Sequence, residues 1–170
     1  MKLFACLALF ALLSGCTGIP EQVQPVKPFD VERYMGKWFE IARLDHSFER
    51  GLSQVTAEYT LKLDGSVNVI NSGYSEKDDE YRQATGTAKF VRQNDEGYLK
   101  VSFFGPFYGS YVVFGLDHKD YQYAFVSGYN KNYLWLLSRT PEVSQVLKER
   151  FIQQSGQLGF DTDQLIWIKQ

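Results

Sequence analysis

Val55-Thr56-Ala57-Glu58-Tyr59-Thr60-Leu61-Lys62-Leu63 alternates apolar and polar residues and runs straight into Asp64-Gly65. A period of two marks a strand with one buried and one wet face, and Asp-Gly marks a tight hairpin. Val67 to Tyr74 then read as the return strand. Working outward, Trp38 to Arg43, Arg82 to Val91, Tyr98 to Phe104, Tyr108 to Leu116, Tyr121 to Gly128 and Tyr133 to Ser138 have the same character. They are separated by turn clusters such as Asn94-Asp95-Glu96-Gly97 and Gly105-Pro106. Eight strands in sequential hairpins, all in one domain, predict an all-β fold. The expected form is an eight-stranded up-and-down antiparallel β-barrel, the strand count at which a closed barrel can hold one small ligand.

Beyond the strands the period changes. Thr140 suits an N-cap, Pro141 the first helical turn and Glu142 the positive end of the dipole, so a C-terminal α-helix is expected from there to a stop near Gly156. Val143, Val146, Leu147 and Phe151 form its apolar stripe, which needs the outer wall of the barrel as partner. Leu165 to Ile168 predict a last extended segment beside the first strand.

At the other end, Lys2 followed by the apolar run Leu3 to Leu13 is too short to span a bilayer, and with Leu13-Ser14-Gly15-Cys16 it reads as a lipoprotein leader. Residues 1–15 are therefore expected to be removed, and Cys16 to become an acylated N-terminus tethered to a membrane. The mature chain then has no thiol, because Cys6 leaves with the leader. That excludes disulfides, thiolate metal sites and a cysteine nucleophile. The three prolines of Thr17 to Pro28 read as an extended linker holding the domain some tens of ångströms off the lipid. Residues 29–170 make one domain. Losing Lys2 moves the net charge from −2 to −3, which gives no electrostatic reason to expect nucleic acid.

Gly36-Lys37-Trp38, preceded by Tyr34 and followed by Phe39-Glu40-Ile41-Ala42-Arg43, resembles the Gly-x-Trp signature of the lipocalins. Asp117 to Tyr121 resembles the second signature of that family, and Ser138-Arg139 after Leu134-Trp135-Leu136-Leu137 the third. All three occur in order, and the resemblance covers the chain from Asp30 onward. With the lipobox it points to the outer-membrane lipoproteins of the family, and Thr17 rather than Asp after the cysteine fits sorting to the outer membrane. The resemblance implies a carrier of small lipids serving membrane maintenance under stress, with homodimers possible.

Up-and-down parity assigns the two ends. Gly36, Trp38, Tyr121 and Arg139 meet at a closed end, where the guanidinium can stack on the indole. The other four loops form an open mouth. Phe48, Phe104, Phe107, Tyr108 and Tyr129 would give it an apolar rim, and His46, Arg50 and Lys131 a cationic lip. Between them Ala57, Tyr59, Ala88, Phe90, Phe103, Tyr111 and Phe125 are the expected lining. Parity also puts Glu40 inside, where it needs an Arg partner unless a bulge turns it away.

Catalytic patterns are thin. His46 and His118 are far apart, with no His-Glu-x-x-His and no Gly-x-Ser-x-Gly. The acidic run Glu76-Lys77-Asp78-Asp79-Glu80 lacks the spacing of a calcium loop. No catalytic residue, metal or cofactor is expected. An apolar cup with a cationic lip suits a fatty acid or lysophospholipid. The alternatives are a lipocalin-type enzyme acting in the cup and a structural module whose barrel is filled.

Overall fold

A computed structural model describes residues 17–170; the leader and Cys16 lie outside the described residues. Strands β1 (Gly36–Arg43), β2 (Leu52–Leu61), β3 (Val67–Ser75), β4 (Glu80–Phe90), β5 (Tyr98–Phe104), β6 (Phe107–Leu116), β7 (Tyr123–Ser127) and β8 (Leu134–Ser138) pair antiparallel with their neighbours. β1 closes the barrel. Its first half pairs with Thr56–Tyr59 of β2, and Phe39 to Arg43 pair with β8.

Each apolar alternation resolves into two cores. Trp38, Tyr59, Val67, Leu99, Val113, Val126 and Leu137 face the interior. Ile41, Phe114, Phe125, Leu134, Leu136, Phe151 and Phe160 form a second core on the outer wall, beneath helix α2 (Gln145–Gln157). Phe151 is fully buried there, and a side chain of that size contributes about 1.5–3 kcal/mol by leaving water.

Several element boundaries differ from expectation. α2 starts at Ser144, whose side chain accepts from the Leu147 N–H. Thr140 is instead occupied in the preceding turn, its hydroxyl donating to the Glu142 carbonyl. The helix stops at Gly159, which takes φ +80° while Phe160 N–H reaches back to the Ser155 carbonyl. That is the left-handed close that favours glycine. Val146 is exposed and lies off the buried stripe, and Leu63 is likewise exposed, in the turn beyond the end of β2.

The last segment does lie beside β1. β9 (Ile166–Trp167) pairs with Ala42 and Arg43, where β2 has parted from that strand. Gln54 N–H donates to the Lys169 carbonyl, and the Gln170 side chain donates to the carbonyls of Glu40 and Val55. The C-terminal residues therefore stitch the parted seam.

The proline-rich segment is no free spacer. A short helix, α1 (Val31–Tyr34), leads into β1, and before it the chain is strapped along the outer wall. Val26 N–H donates to the Val113 carbonyl and Gly97 N–H to that of Val26. Val23 is buried in the outer core, Tyr98 Oη donates to the Thr17 carbonyl and Ser110 Oγ to that of Gly18. Prolines do not forbid docking; they remove amide donors that the wall would otherwise have to satisfy.

Candidate functional site

At the closed end, Gly36 sits at φ +92°. This turn lets the chain pass close beneath Arg139, so a Cβ there would stand 3.5 Å from the Arg139 Nη1. The Arg139 guanidinium lies 3.8 Å from the centroid of the Trp38 ring. It also donates to the carbonyls of Arg33, Met35, Lys37 and Tyr121. Trp38 is fully buried and its indole N–H donates to the Tyr34 carbonyl at 2.8 Å. The four residues expected at this end are thus brought together as a plug.

Above the plug the barrel holds a cavity of about 570 Å³, open at the opposite end. Its wall includes Ala57, Tyr59, Ala88, Phe103 and Tyr111, all expected. Phe90 is displaced from the lining. It packs edge-on against Phe29, with ring centroids 6.3 Å apart, and fills the closed half instead. Phe125 is on the other face altogether, against Phe114 and Phe151 beneath α2. Tyr121, just before β7, takes φ +54°, so counting in twos from it slips by one residue. Ala124 and Val126 face inward, and Tyr123 and Phe125 outward. Gly115 completes the correction, since a Cβ there would collide with the Phe125 ring.

The floor of the cavity carries three phenols. Tyr34 and Tyr59 each lie within hydrogen-bond distance of the Tyr111 hydroxyl, at 2.7 and 3.0 Å. Burial pushes all three above the ordinary tyrosine range, so they stand as neutral hydroxyls. Their two mutual bonds use two of three protons, which leaves one O–H donor for the cavity.

Toward the mouth a buried ion cluster forms part of the wall. Arg43 donates from Nη1 to Glu40 Oε1 at 2.7 Å and from Nη2 to the Glu49 carbonyl at 2.6 Å. His46 Nε2 lies 2.9 Å from Glu49 Oε2, which also accepts from the Trp135 indole at 3.2 Å. Burial pushes the Glu40 carboxyl well up, and the Glu49 charge pushes the same way against Arg43. Burial also opposes the Glu49 charge, but His46, Trp135 and Arg43 together hold that carboxyl below its usual range. Of the two carboxyls, Glu40 therefore keeps its proton to the higher pH. Glu40 thus found its Arg, and a bulge as well, between Glu40 and Ala42.

The expected rim is largely present. Phe48, Phe104, Phe107, Tyr108 and Tyr129 all line the opening. Phe104 and Phe107 face one another across the β5–β6 turn and are 81% and 75% exposed, whereas Phe48 stacks on His46 at 3.9 Å.

The cationic lip is not assembled as expected. His46 is buried behind Phe48 and belongs to the ion cluster. Arg50 points away to Asp45, with Nη2 2.7 Å from Oδ2. Lys131 lies against Gly159 beyond the end of α2. Among the described residues, the basic side chain that lines the mouth is Arg82 of β4, paired with Asp78 and half exposed. Sequence reasoning also missed Glu49, Tyr133 and Trp135. Trp135 was recoverable, since it alternates with the outward Leu134 and Leu136; Glu49, in a loop without period, was not.

A family model described as a lipocalin-like domain matches residues 29–170. The chain is 60% identical over 159 residues to the outer membrane lipoprotein Blc of Vibrio cholerae serotype O1, covering 94% of this chain and 93% of that protein. It is 48% identical over 151 residues to the protein of the same name from Escherichia coli K12, covering 89% and 85%. Among solved structures, insecticyanin of the tobacco hornworm Manduca sexta superposes with a TM-score of 0.71 at 22% identity, covering 90% of this chain and 87% of that one. That last likeness concerns the fold.

Proposed function

The chain belongs to the lipocalin-like family and is a close relative of outer membrane lipoproteins, and from that premise we propose that it carries or stores long-chain acyl amphiphiles at the outer membrane. It is held there by an acylated Cys16. The ligand class is a fatty acid or lysophospholipid, and the service is upkeep of the membrane under stress.

The observation that carries this reading is the cavity, about 570 Å³ and walled mainly by apolar side chains. It falls within the range of ligand sites, roughly 300–1,000 Å³, and so favours a carrier over a filled structural barrel. Mechanism here is partition. Each methylene leaving water contributes about 0.8 kcal/mol, and a dozen of them outweigh the cost of ordering the ligand. Alanines at 57 and 88 leave the width an acyl chain needs, while the mouth keeps the polar head in water.

The ion cluster supplies no cation for that head. Arg43 is committed to the Glu40 carboxyl and the Glu49 carbonyl, and His46 is turned to Glu49. The groups of the cluster are turned to one another, so it constrains the wall without offering a free cation to an anion. Arg82 is the residue placed to meet a phosphate or carboxylate at the mouth.

An enzymatic reading would need a free base facing the cavity, and the carboxyls that line it, Glu40 and Glu49, are engaged with Arg43, His46 and Trp135. Lipid mass spectrometry on protein purified without harsh detergent tests the proposal. One acyl amphiphile per chain, returned chemically unchanged, is the expected result; an empty barrel that refuses all acyl lipids on titration, or turnover of bound lipid, refutes it. Intact mass tests the anchor, with Cys16→Ser expected to abolish acylation.

A further inference from the structure

The strap on the outer wall fixes which way the barrel faces. Its contacts climb β6 from Val26 at Val113 to Gly18 at Ser110. There a Cβ on Gly18 would lie 3.9 Å from the carbonyl oxygen of Tyr129, a residue of the mouth. Gly18, two residues after Cys16, therefore stands on the mouth side of the barrel.

Distances make the choice of end decisive. A strand rises about 3.3 Å per residue, so Phe107 at the rim is about 10 Å along β6 from Ser110, and Leu116 at the closed end about 20 Å in the other direction. Cys16 can stand at most about 7 Å from Gly18. That leaves about 3 Å to the rim, which the glyceryl stem of an acyl anchor spans, and about 13 Å to the closed end, which it does not.

We infer that the acylated N-terminus holds the open mouth down on the leaflet in which it is anchored, so that the ligand enters from that leaflet without crossing water. This rests on the lipid anchor of the proposed function. The surface agrees in its details. Phe104 and Phe107 are the exposed aromatics on the β5–β6 tip, which is the tip of the strand that carries the strap contact. Aromatic side chains of this kind settle at the interface of a bilayer. The acidic run Glu76 to Glu80 forms the β3–β4 tip, further round the barrel. Tilting onto β5–β6 buries the phenylalanines and leaves the carboxylates in water. Exposed apolar side chains at a rim are otherwise a liability for solubility, and a facing bilayer removes it.

The test uses mature acylated protein in phosphatidylethanolamine–phosphatidylglycerol vesicles. A cysteine introduced by Gly105→Cys, Lys77→Cys or Lys119→Cys is the single free thiol, and it carries an environment-sensitive fluorophore. A side chain at Gly105 meets open space. The label at 105 should blue-shift and be quenched by spin-labelled lipid, while those at 77 and 119 stay in water. Equal quenching at all three positions, none at any, or quenching favouring 119 overturns the inference.

A second arm inserts a flexible spacer of about ten residues between Cys16 and Thr17, which leaves the strap contacts in place and lowers the effective concentration of the mouth at the bilayer. Transfer of a fluorescent lysophospholipid from vesicle to barrel should slow at least about fivefold; an unchanged rate overturns direct loading. Binding of the same lipid by Cys16→Ser protein in vesicle-free solution reads the carrier function alone. Its failure with quenching at 105 intact removes the carrier and keeps the orientation, and the converse removes the orientation only.

Discussion

Removing Arg139 and Trp38 singly and together measures whether the closed end is one unit. Trp38→Ala should cost about 3–5 kcal/mol, because a fully buried indole leaves a void and the Tyr34 carbonyl loses its donor. Arg139→Ala removes donors from four carbonyls on the segments before, in and across from β1. Some of those carbonyls face water and recover a partner there, so the cost should be about 2–4 kcal/mol. The double variant should lose about 1 kcal/mol less than the sum, since a guanidinium 3.8 Å from the ring has no face to stack on once the indole is gone. Arg139→Lys keeps the charge but not the planar fork, and should recover less than half of the loss. Urea unfolding of Cys16→Ser protein gives these values, with the slope checked for constancy across the set. Losses additive to within about 0.4 kcal/mol would refute the plug as a coupled unit.

Filling the cup by Ala57→Trp or Ala88→Trp should weaken charged and uncharged acyl ligands alike, by about fifteen- to two-hundredfold if two to four methylenes lose their contacts; tryptophan fluorescence titration reads the change. Arg50→Ala should leave affinity within about twofold, because that side chain is exposed and engaged with Asp45. Arg82→Ala should weaken an anionic head several-fold more than a neutral one with the same tail, and equal effects would remove Arg82 as the head contact. Glu40→Gln should flatten the pH dependence of stability. The folded chain holds the Glu40 proton to a higher pH than the unfolded chain does, so the wild type loses stability as pH rises above about 4.5, by up to about 1.4 kcal/mol per unit, until Glu40 itself ionises. Melting temperatures from pH 4.5 upward that fall in parallel for wild type and Glu40→Gln would contradict the raised Glu40.

The barrel was legible because alternation is a backbone property, and the turn residues that punctuate it are local. The site was legible only where alternation continued undisturbed. From Val55 to Leu61 every second residue faces inward as read, and Ala57 and Tyr59 line the cavity. At Tyr121 a single left-handed residue shifts the count, and Phe125 is lost to the outer core. The lip failed for a different reason. Arg50, His46 and Lys131 belong to loops at the correct end, but a loop's sequence does not say whether a cation faces the opening or a nearby carboxylate, and Asp45 and Glu49 took two of the three. The strap was missed because proline content was read as stiffness, while Ile19, Val23 and Val26 supplied the apolar side chains that dock it.

The bulge in β1 explains how a charged cluster can exist in an acyl-binding wall at all. Glu40 and Arg43 are three residues apart, and three is an odd number, so in a regular strand they would face opposite sides of the sheet. Glu40 would then be an unpaired carboxyl in the cup, and Arg43 an unpaired cation under α2, each at a cost of several kcal/mol. The register shift between Glu40 and Ala42 adds one residue. Ile41 and Ala42 both turn to the outer core, and Arg43 returns inward to meet Glu40 at 2.7 Å. A bulge also strengthens the local bend of the strand, and at this point β1 leaves β2 and takes β9 as partner. One inserted residue therefore brings the buried carboxyl and guanidinium together and opens the seam that Gln170 closes, which ties the C-terminal segment to the same wall of the cavity that the ligand must pass.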